Sequence, residues 1–426
     1  MAATHPARRT TLREQISPSV ALAADEPARL PRLVADVLAQ RGVTRGRVLL
    51  LCERPLDQAA VQPAAQFQLT RGTLTEAATL LASCDFAAVV LVEDDIRPAS
   101  LEPSLARLAP LLSAGTLLVI TAATAWQASH RRTAGALPHL SDPREALHLL
   151  LLRHGYHELW AHAWRAIPCI SARRTAAAAP RTCSIIVPVF NEKQTFPELM
   201  RRLLARQLDH LGLARQIILV ESNSTDGTRE LVARFAGTPG VEVIWQDRPR
   251  GKGNAVRAGL DVARGDIVLI QDADLEYDLD DYDVLLAPLL QGRAAFVLGS
   301  RHSGTVRMRK FTDQRLLGAV LDTAHVFFTG IINILYRQDL KDPFTMFKVF
   351  RRDCLYGLEF ECDRFDFDHE LVIKLVLKGY RPLEIPVNYC SRSFKQGKKI
   401  RFFRDPPTWI AADLKFRLQR LRPRFD

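Results

Sequence analysis

Short apolar runs that end in polar turns recur along this sequence and restrict its fold more than any other feature. Residues 47–52, 87–92 and 116–121 in the first half, and 183–189, 216–220 and 267–270 in the second, are apolar and nearly continuous. Runs of that kind are buried on both faces, as in a parallel sheet covered by helices. Helical spacing fills the intervals, at 74–82 and 103–112 and again at 255–263, where Gly265 ends the run. The alternation predicts βαβ units and an α/β fold in both halves.

A chain of 426 residues has room for two to three domains. It is 47% hydrophobic and 25% charged, which excludes a disordered or low-complexity chain. Seven cysteines form no C-x-x-C pair and no even framework, so they read as reduced thiols of a cytoplasmic protein. The N-terminus has no apolar core and is not a secretory signal. The most apolar long window, 318–336, contains Asp322 and His325 and is too polar to span a membrane. The net charge of +11 suits an anionic membrane face, a phosphorylated ligand or nucleic acid. No zinc-finger spacing, RNP-like aromatic run or basic-region heptad is present, so no nucleic-acid partner is expected.

Residues 1–180 contain no lysine, and all eleven lysines lie from Lys193 onward. The stretch 172–181, rich in alanine and arginine with one proline, separates the two compositions. The expected organisation is a flexible tail at 1–28, a Rossmann-like domain at 29–174 and a linker at 175–182. A catalytic α/β domain at 183–405 and a basic amphipathic helix at 406–426 complete it.

From Phe86 onward the first half resembles the back half of a class I methyltransferase. Val92-Glu-Asp-Asp95 ends an acidic strand, a helix and a strand follow, and His154-Gly-Tyr-His-Glu-Leu-Trp160 matches the final hairpin region. The first strand leads into Leu51-Cys-Glu-Arg-Pro-Leu-Asp57, with no glycine to admit a cofactor against the backbone. The resemblance therefore implies a degenerate domain.

Three polar turns follow three strands of the second half: Pro188-Val-Phe-Asn-Glu192, Glu221-Ser-Asn-Ser-Thr-Asp-Gly-Thr228 and Gln271-Asp-Ala-Asp-Leu-Glu276. Ligand sites of open α/β sheets lie beyond such strand ends. Asp272 and Asp274, one residue apart at a strand mouth, would face the same way on an extended strand, with Glu276 continuing that face. Two carboxylates suit Mg²⁺, which keeps positions for substrate phosphate oxygens. Asn191 is placed to cap the following helix.

With Gly251-Lys-Gly-Asn-Ala255 and Leu298-Gly-Ser-Arg301, these motifs resemble family-2 glycosyltransferases of the GT-A fold, and among them the dolichol-phosphate mannose synthase-like branch. The resemblance covers about half the chain. It implies a donor pocket formed by Pro188, Phe190, Glu192, Glu221, Lys252 and Asp272. A Mg²⁺ or Mn²⁺ ion would be held by Asp272, Asp274 and Glu276, and Arg301 would contact phosphates. Glu221-Ser222 stands where the family has Asp-Asp, which leaves the base preference open. On the acceptor side, Arg392, Lys398 and Lys399 would meet a phosphate. Asp342 and Asp368 are the candidate acids at the reaction centre, and Asp366, Asp368 and Glu370 cannot all share one helix face.

The implied reaction is an inverting, metal-dependent transfer from a UDP- or GDP-sugar to polyprenyl phosphate. A phosphate acceptor needs no general base, whereas a hydroxyl acceptor would need Asp342 or Asp368. The apolar stripe at 318–336 and the C-terminal helix suit a peripheral position on the inner face of the plasma membrane. A homo-oligomer is compatible with this reading. The alternatives are a soluble phosphorylated or hydroxyl acceptor and a non-catalytic scaffold.

Overall fold

The computed structural model describes residues 29–52, 67–93, 98–122, 143–164, 167–174, 181–302, 315–391 and 405–418. Two sheets carry the fold. The expected tail at 1–28, most of the linker and the cluster Arg392, Lys398 and Lys399 lie outside the described residues.

The first half begins with helix α1 (Arg29–Gln40). Strands β1 (Gly46–Cys52), β2 (Phe67–Gly72), β3 (Ala88–Glu93) and β4 (Leu117–Ala122) are mutually parallel where they pair. Helices α2 (Ala77–Ser83), α3 (Pro98–Leu108) and α4 (Pro143–Arg153) connect them and lead into the antiparallel pair β5 (Tyr156–Trp164) and β6 (Ile167–Arg174). The sheet order is β2-β1-β3-β4-β6-β5. Strand β6 lies antiparallel against β4, so a hairpin closes that side. The three apolar runs of the first half become β1, β3 and β4. Their side chains from Val48 to Leu51 and from Ala88 to Val92 are buried on both faces.

In the second half the seven-stranded order is β13-β11-β12-β10-β7-β8-β9. Strand β7 (Arg181–Val189) runs to helix α5 (Phe196–Ala205), β8 (Leu213–Glu221) to α6 (Thr228–Ala233), and β9 (Val241–Trp245) to α7 (Lys252–Val262). Strand β10 (Ile267–Ile270), helix α8 (Tyr282–Leu290) and strand β11 (Phe296–Ser300) follow. Next come the long helix α9 (Arg315–Tyr336), β12 (Lys348–Arg351), α10 (Asp366–Lys378), β13 (Leu383–Pro386) and α11 (Asp405–Leu418). Strand β12 alone among these runs antiparallel, between β10 and β11. Helix α7 packs so closely on β7 that a Cβ on Gly259 would meet the Ile186 side chain at 2.5 Å.

The boundary differs from the sequence reading in two ways. Arg181 and Thr182, assigned to the linker, pair with Leu213 and Ala214 as the first residues of β7. The two halves also share one continuous apolar cluster, which runs from Leu49 and Tyr156 to Phe350 and Tyr380. Their contact carries charge as well. His157 Nδ1 lies 2.5 Å from Asp353, and the Arg41 guanidinium stacks 4.7 Å from the Tyr356 ring centre. The Lys378 ammonium donates to the Cys354 and Tyr356 carbonyls and lies 5.4 Å from the Trp160 ring centre.

Helix α11 is part of the second body. Ala412, Asp413 and Phe416 are buried, His369 Nδ1 lies 2.8 Å from Asp413, and Lys415 pairs with Glu361. Among the described residues no helix is long and apolar enough to cross a membrane.

Candidate functional site

The turns after β7, β8 and β10 are bonded into one rim. The Asn191 N–H donates to Ser224 Oγ at 2.9 Å and the Thr225 N–H returns to Asn191 Oδ1 at 2.8 Å. Asn191, expected to cap α5, has φ +51° and serves as this cross-tie. A short polar side chain tolerates that left-handed backbone and bonds locally, which an apolar one does not. The Glu192 N–H donates to Thr228, and Thr195 Oγ1 lies 2.9 Å from both Glu192 Oε2 and the Ala273 carbonyl. Pro188 and Phe190, at the end of β7, are half-buried on this rim.

Glu221 has a different place from the one expected. Its side chain is fully buried; it accepts the Ser224 N–H at 2.7 Å and the Asn223 N–H at 3.1 Å, and it pairs with Arg229. Its carboxylate is spent on its own turn and on a guanidinium, and so braces the strand end.

Strand β10 ends at Ile270, so Asp272 and Asp274 lie in a turn and not on an extended strand. Exposure still alternates: Gln271 and Ala273 are buried, Asp272 and Asp274 half-buried. The Asp274 carboxylate accepts the Glu276 N–H at 3.1 Å, which tightens the turn. Asp272 is paired with the Lys252 ammonium at the start of α7. Burial pulls Lys252 down, but Asp272, Asp368 and Asp274 outweigh it and hold the ammonium above its ordinary range. Glu276, the third expected metal ligand, is buried and accepts the Tyr389 hydroxyl at 2.7 Å. Among the described residues no three His, Cys, Asp or Glu side chains form a metal-holding group. Asp272 and Asp274 alone fit a divalent ion that completes its shell with substrate phosphate oxygens, the habit of Mg²⁺.

The glycines flanking Lys252 have a packing reason that the sequence reading did not supply. Gly251 has φ +111°, and a Cβ there would strike the Asp363 carbonyl; a Cβ on Gly253 would strike Phe367. Only glycine brings the start of α7 so close to the turn before α10.

Arg301 follows β11 and grips Asp342 with two parallel bonds, Nε at 2.8 Å and Nη2 at 2.6 Å, while its N–H adds a third at 2.8 Å. Asp342 is fully buried. Burial alone would raise its carboxyl, yet Arg301, with His325 behind it, holds it far below the usual carboxylate range. Asp342 therefore holds Arg301 in a fixed orientation. Asp368, in the first turn of α10, accepts the fully buried Lys348 ammonium at 3.0 Å. Asp366 accepts the Arg364 N–H, and Glu370 pairs with Lys374 and two loop amides. Only Asp368 of these three acids joins the field around Lys252. Lys348 carried no role in the sequence reading, although a lysine within an apolar strand is an anomaly that marks it.

Lys252, Asp272, Asp274, Asp368, Lys348, Asp342 and Arg301 thus form one chain of charges at the strand ends. Tyr277 and Tyr389 floor it: Arg301 lies 5.5 Å from the Tyr389 ring centre, and the two rings are 5.1 Å apart. A separate cavity of about 1250 Å³ is lined by Arg257, Phe360, Lys374 and Phe416, among others, and by none of the expected site residues.

Residues 184–358 match the sequence model of Glycosyl transferase family 2. They are a family 2 glycosyltransferase domain. The α/β fold expected of that domain is the fold observed, and a second α/β sheet precedes it. The chain is 26% identical over 219 residues to an undecaprenyl-phosphate 4-deoxy-4-formamido-L-arabinose transferase of Shewanella sediminis, covering 50% of this chain and 61% of that one. It is 27% identical over 219 residues to a dolichol-phosphate mannosyltransferase of Pyrococcus furiosus, covering 50% and 58%. It thus spans about three fifths of the length of these curated relatives. A solved mannosyltransferase of Pyrobaculum calidifontis, in complex with GDP-Man and Mn²⁺, is 22% identical, with a TM-score of 0.33 over 49% of this chain and 56% of that one. The family 2 domain begins one residue after Cys183, inside β7, and the match ends before α10.

Proposed function

We propose that this chain is an inverting glycosyltransferase that moves a sugar from a nucleotide-sugar donor to a polyprenyl phosphate. The carrying observation is the convergence of Asp272, Asp274, Lys252 and the Arg301–Asp342 pair at the carboxyl ends of the family 2 sheet. The names of both curated relatives described above contain a polyprenyl phosphate, undecaprenyl phosphate in one and dolichol phosphate in the other, in support of the acceptor class.

Asp272 and Asp274 would hold Mg²⁺ or Mn²⁺, which when bound screens the negative charge of the departing diphosphate. Lys252 and Arg301 bring positive charge to the same side. Arg301 is preorganised, because Asp342 fixes its plane before any substrate arrives. The acceptor phosphate oxygen attacks the anomeric carbon, the bond from that carbon to the nucleoside diphosphate breaks, and the centre inverts. No proton has to be removed. Both candidate bases are held against cations, Asp342 by Arg301 and Asp368 by Lys348, an arrangement that favours an already anionic acceptor over a hydroxyl.

Contact with a membrane surface suits the exposed apolar side chains Phe327 and Ile334 on α9 and Leu418 on α11, which are 62%, 81% and 85% exposed. The same α9 buries Asp322, His325 and Thr329, so one helix links the apolar face to the Asp342 pocket.

The deciding experiment incubates the purified chain with UDP- and GDP-sugars, Mg²⁺ or Mn²⁺ and a short polyprenyl phosphate. A sugar-lipid product that requires the metal and Asp274 is expected. Metal-dependent donor binding without lipid product, but with transfer to a soluble phosphate or hydroxyl, would move the acceptor to that class. Absence of donor binding would leave the scaffold.

A further inference from the structure

We infer that Lys252 is a built-in counter-ion of the donor site: it occupies Asp272 until a divalent cation displaces it, and the freed ammonium then turns to the donor's diphosphate. This rests on the donor-site reading above and adds an order to it. Metal and nucleotide would be taken up together, and the metal alone would bind poorly.

Three observations carry the inference. The Lys252 ammonium is paired with Asp272 itself, one of the two carboxylates that fit a metal, while Asp274 and Asp368 complete the acidic surroundings. A cation arriving at Asp272 and Asp274 must therefore break an ion pair and meet a like charge. Second, the backbone under Lys252 is clamped. Gly251 and Gly253 abut Asp363 and Phe367, and the Asn254 N–H donates to the Asp363 carbonyl at 2.9 Å. Movement is thus confined to the lysine side chain, whose long flexible stem suits it for exchange between two anions. Third, Lys252 is the first residue of α7, an eleven-residue helix whose positive end reinforces the ammonium's attraction for an anion, with its Asn254 N–H already given to the Asp363 carbonyl. The lysine therefore has a second anionic partner within its own neighbourhood once a diphosphate is bound.

Through the exchange Asp272 would keep a cationic partner in both states. In the free protein Asp272 is neutralised by Lys252, and in the loaded protein by the metal. Binding of metal and nucleotide is coupled through that exchange, and the coupling is reciprocal.

The test measures Mn²⁺ binding by electron paramagnetic resonance and calorimetry, without donor and then with UDP or GDP. The full chain is compared with K252M, K252R and D274N, and thermal melts confirm folding of each. Without nucleotide, K252M is expected to bind Mn²⁺ at least about tenfold tighter than the unchanged protein, because the competing charge is gone. K252R, which keeps the charge, is expected to stay near the unchanged value. The gain in Mn²⁺ affinity on adding nucleotide should be smaller in K252M. Equal or weaker Mn²⁺ binding by K252M, with D274N still impaired, overturns the counter-ion and leaves the donor site standing. If D274N binds Mn²⁺ as well as the unchanged protein does, the donor-site reading fails and this inference fails with it.

Discussion

The two sheets are built alike and used differently. Each has parallel strands with buried Ile, Leu and Val on both faces, and each has one strand running against them toward one side, β6 in the first and β12 in the second. In the second sheet, polar turns at the strand ends are laced to one another, and charged side chains converge on Asp272. In the first sheet, the described charged groups mostly hold the structure together. Glu93, at the end of β3, accepts the Ser104 hydroxyl at 2.7 Å. Arg41, Glu158 and Arg173 form a tie beside the hairpin, and His157 reaches across to Asp353. A doubly wound sheet offers a crevice in principle, but chemistry requires that the strand-end charges face each other and not their own framework.

This contrast can be broken most sharply at two acids, one at or beyond a strand end in each sheet. Asp274→Ala should lower transfer by about a thousandfold or more, because it removes half of the paired carboxylate site. Glu93→Gln, which keeps its bond from Ser104, should leave the turnover rate within about twofold of the original. Steady-state kinetics on both variants decides, and a large loss at Glu93 would give the first sheet a share in the reaction.

Asp342→Asn should cost about 3–5 kcal/mol of stability, since it leaves the buried Arg301 guanidinium without its counter-charge. Denaturant titration measures that, and a change below about 1 kcal/mol would mean that Arg301 relaxes to solvent.

The contact between the halves should respond to pH. Burial between them pulls the Lys378 ammonium down to about 7 from its ordinary 10.5. The unfolded chain therefore holds a proton that the folded one has released between these values, and stability gains with rising pH across that window. From pH 7 to 9 this residue contributes a slope of up to about 1.4 kcal/mol per pH unit, which Lys378→Met should remove. Unfolding curves at pH 7, 8 and 9 for both proteins test the difference. Parallel curves would show that Lys378 stays charged against its two carbonyls.

The smallest effect on folding is expected on α9. Phe327→Ser with Ile334→Ser should change stability by less than about 1 kcal/mol, because both side chains already face water. Sedimentation with anionic vesicles should nevertheless fall, and unchanged sedimentation would remove α9 from the membrane contact.

Much of the donor side was legible in the sequence. Continuous apolar runs marked strands to within a few residues, and each polar turn announced a strand end. The pairings were not legible. Glu221 and Glu276 have the right residue type and spacing to face a ligand, yet one bonds its own turn and Arg229, the other Tyr389. Asp342 reads as a free acid until Arg301, 41 residues earlier, is found on both its oxygens. The expected linker also misled. A polar, alanine-rich stretch separates the compositions, but the halves bury a common core.

From the sequence alone follow the α/β class, six of the strands, the turns where the chemistry concentrates, and the family motif from Ser184 onward. These follow from local period, from residue type and from spacing along the chain. Only the tertiary structure decided which charges are spent on one another. A carboxylate's role depends on the cation within 3 Å of it, and here that cation comes from a different strand or helix.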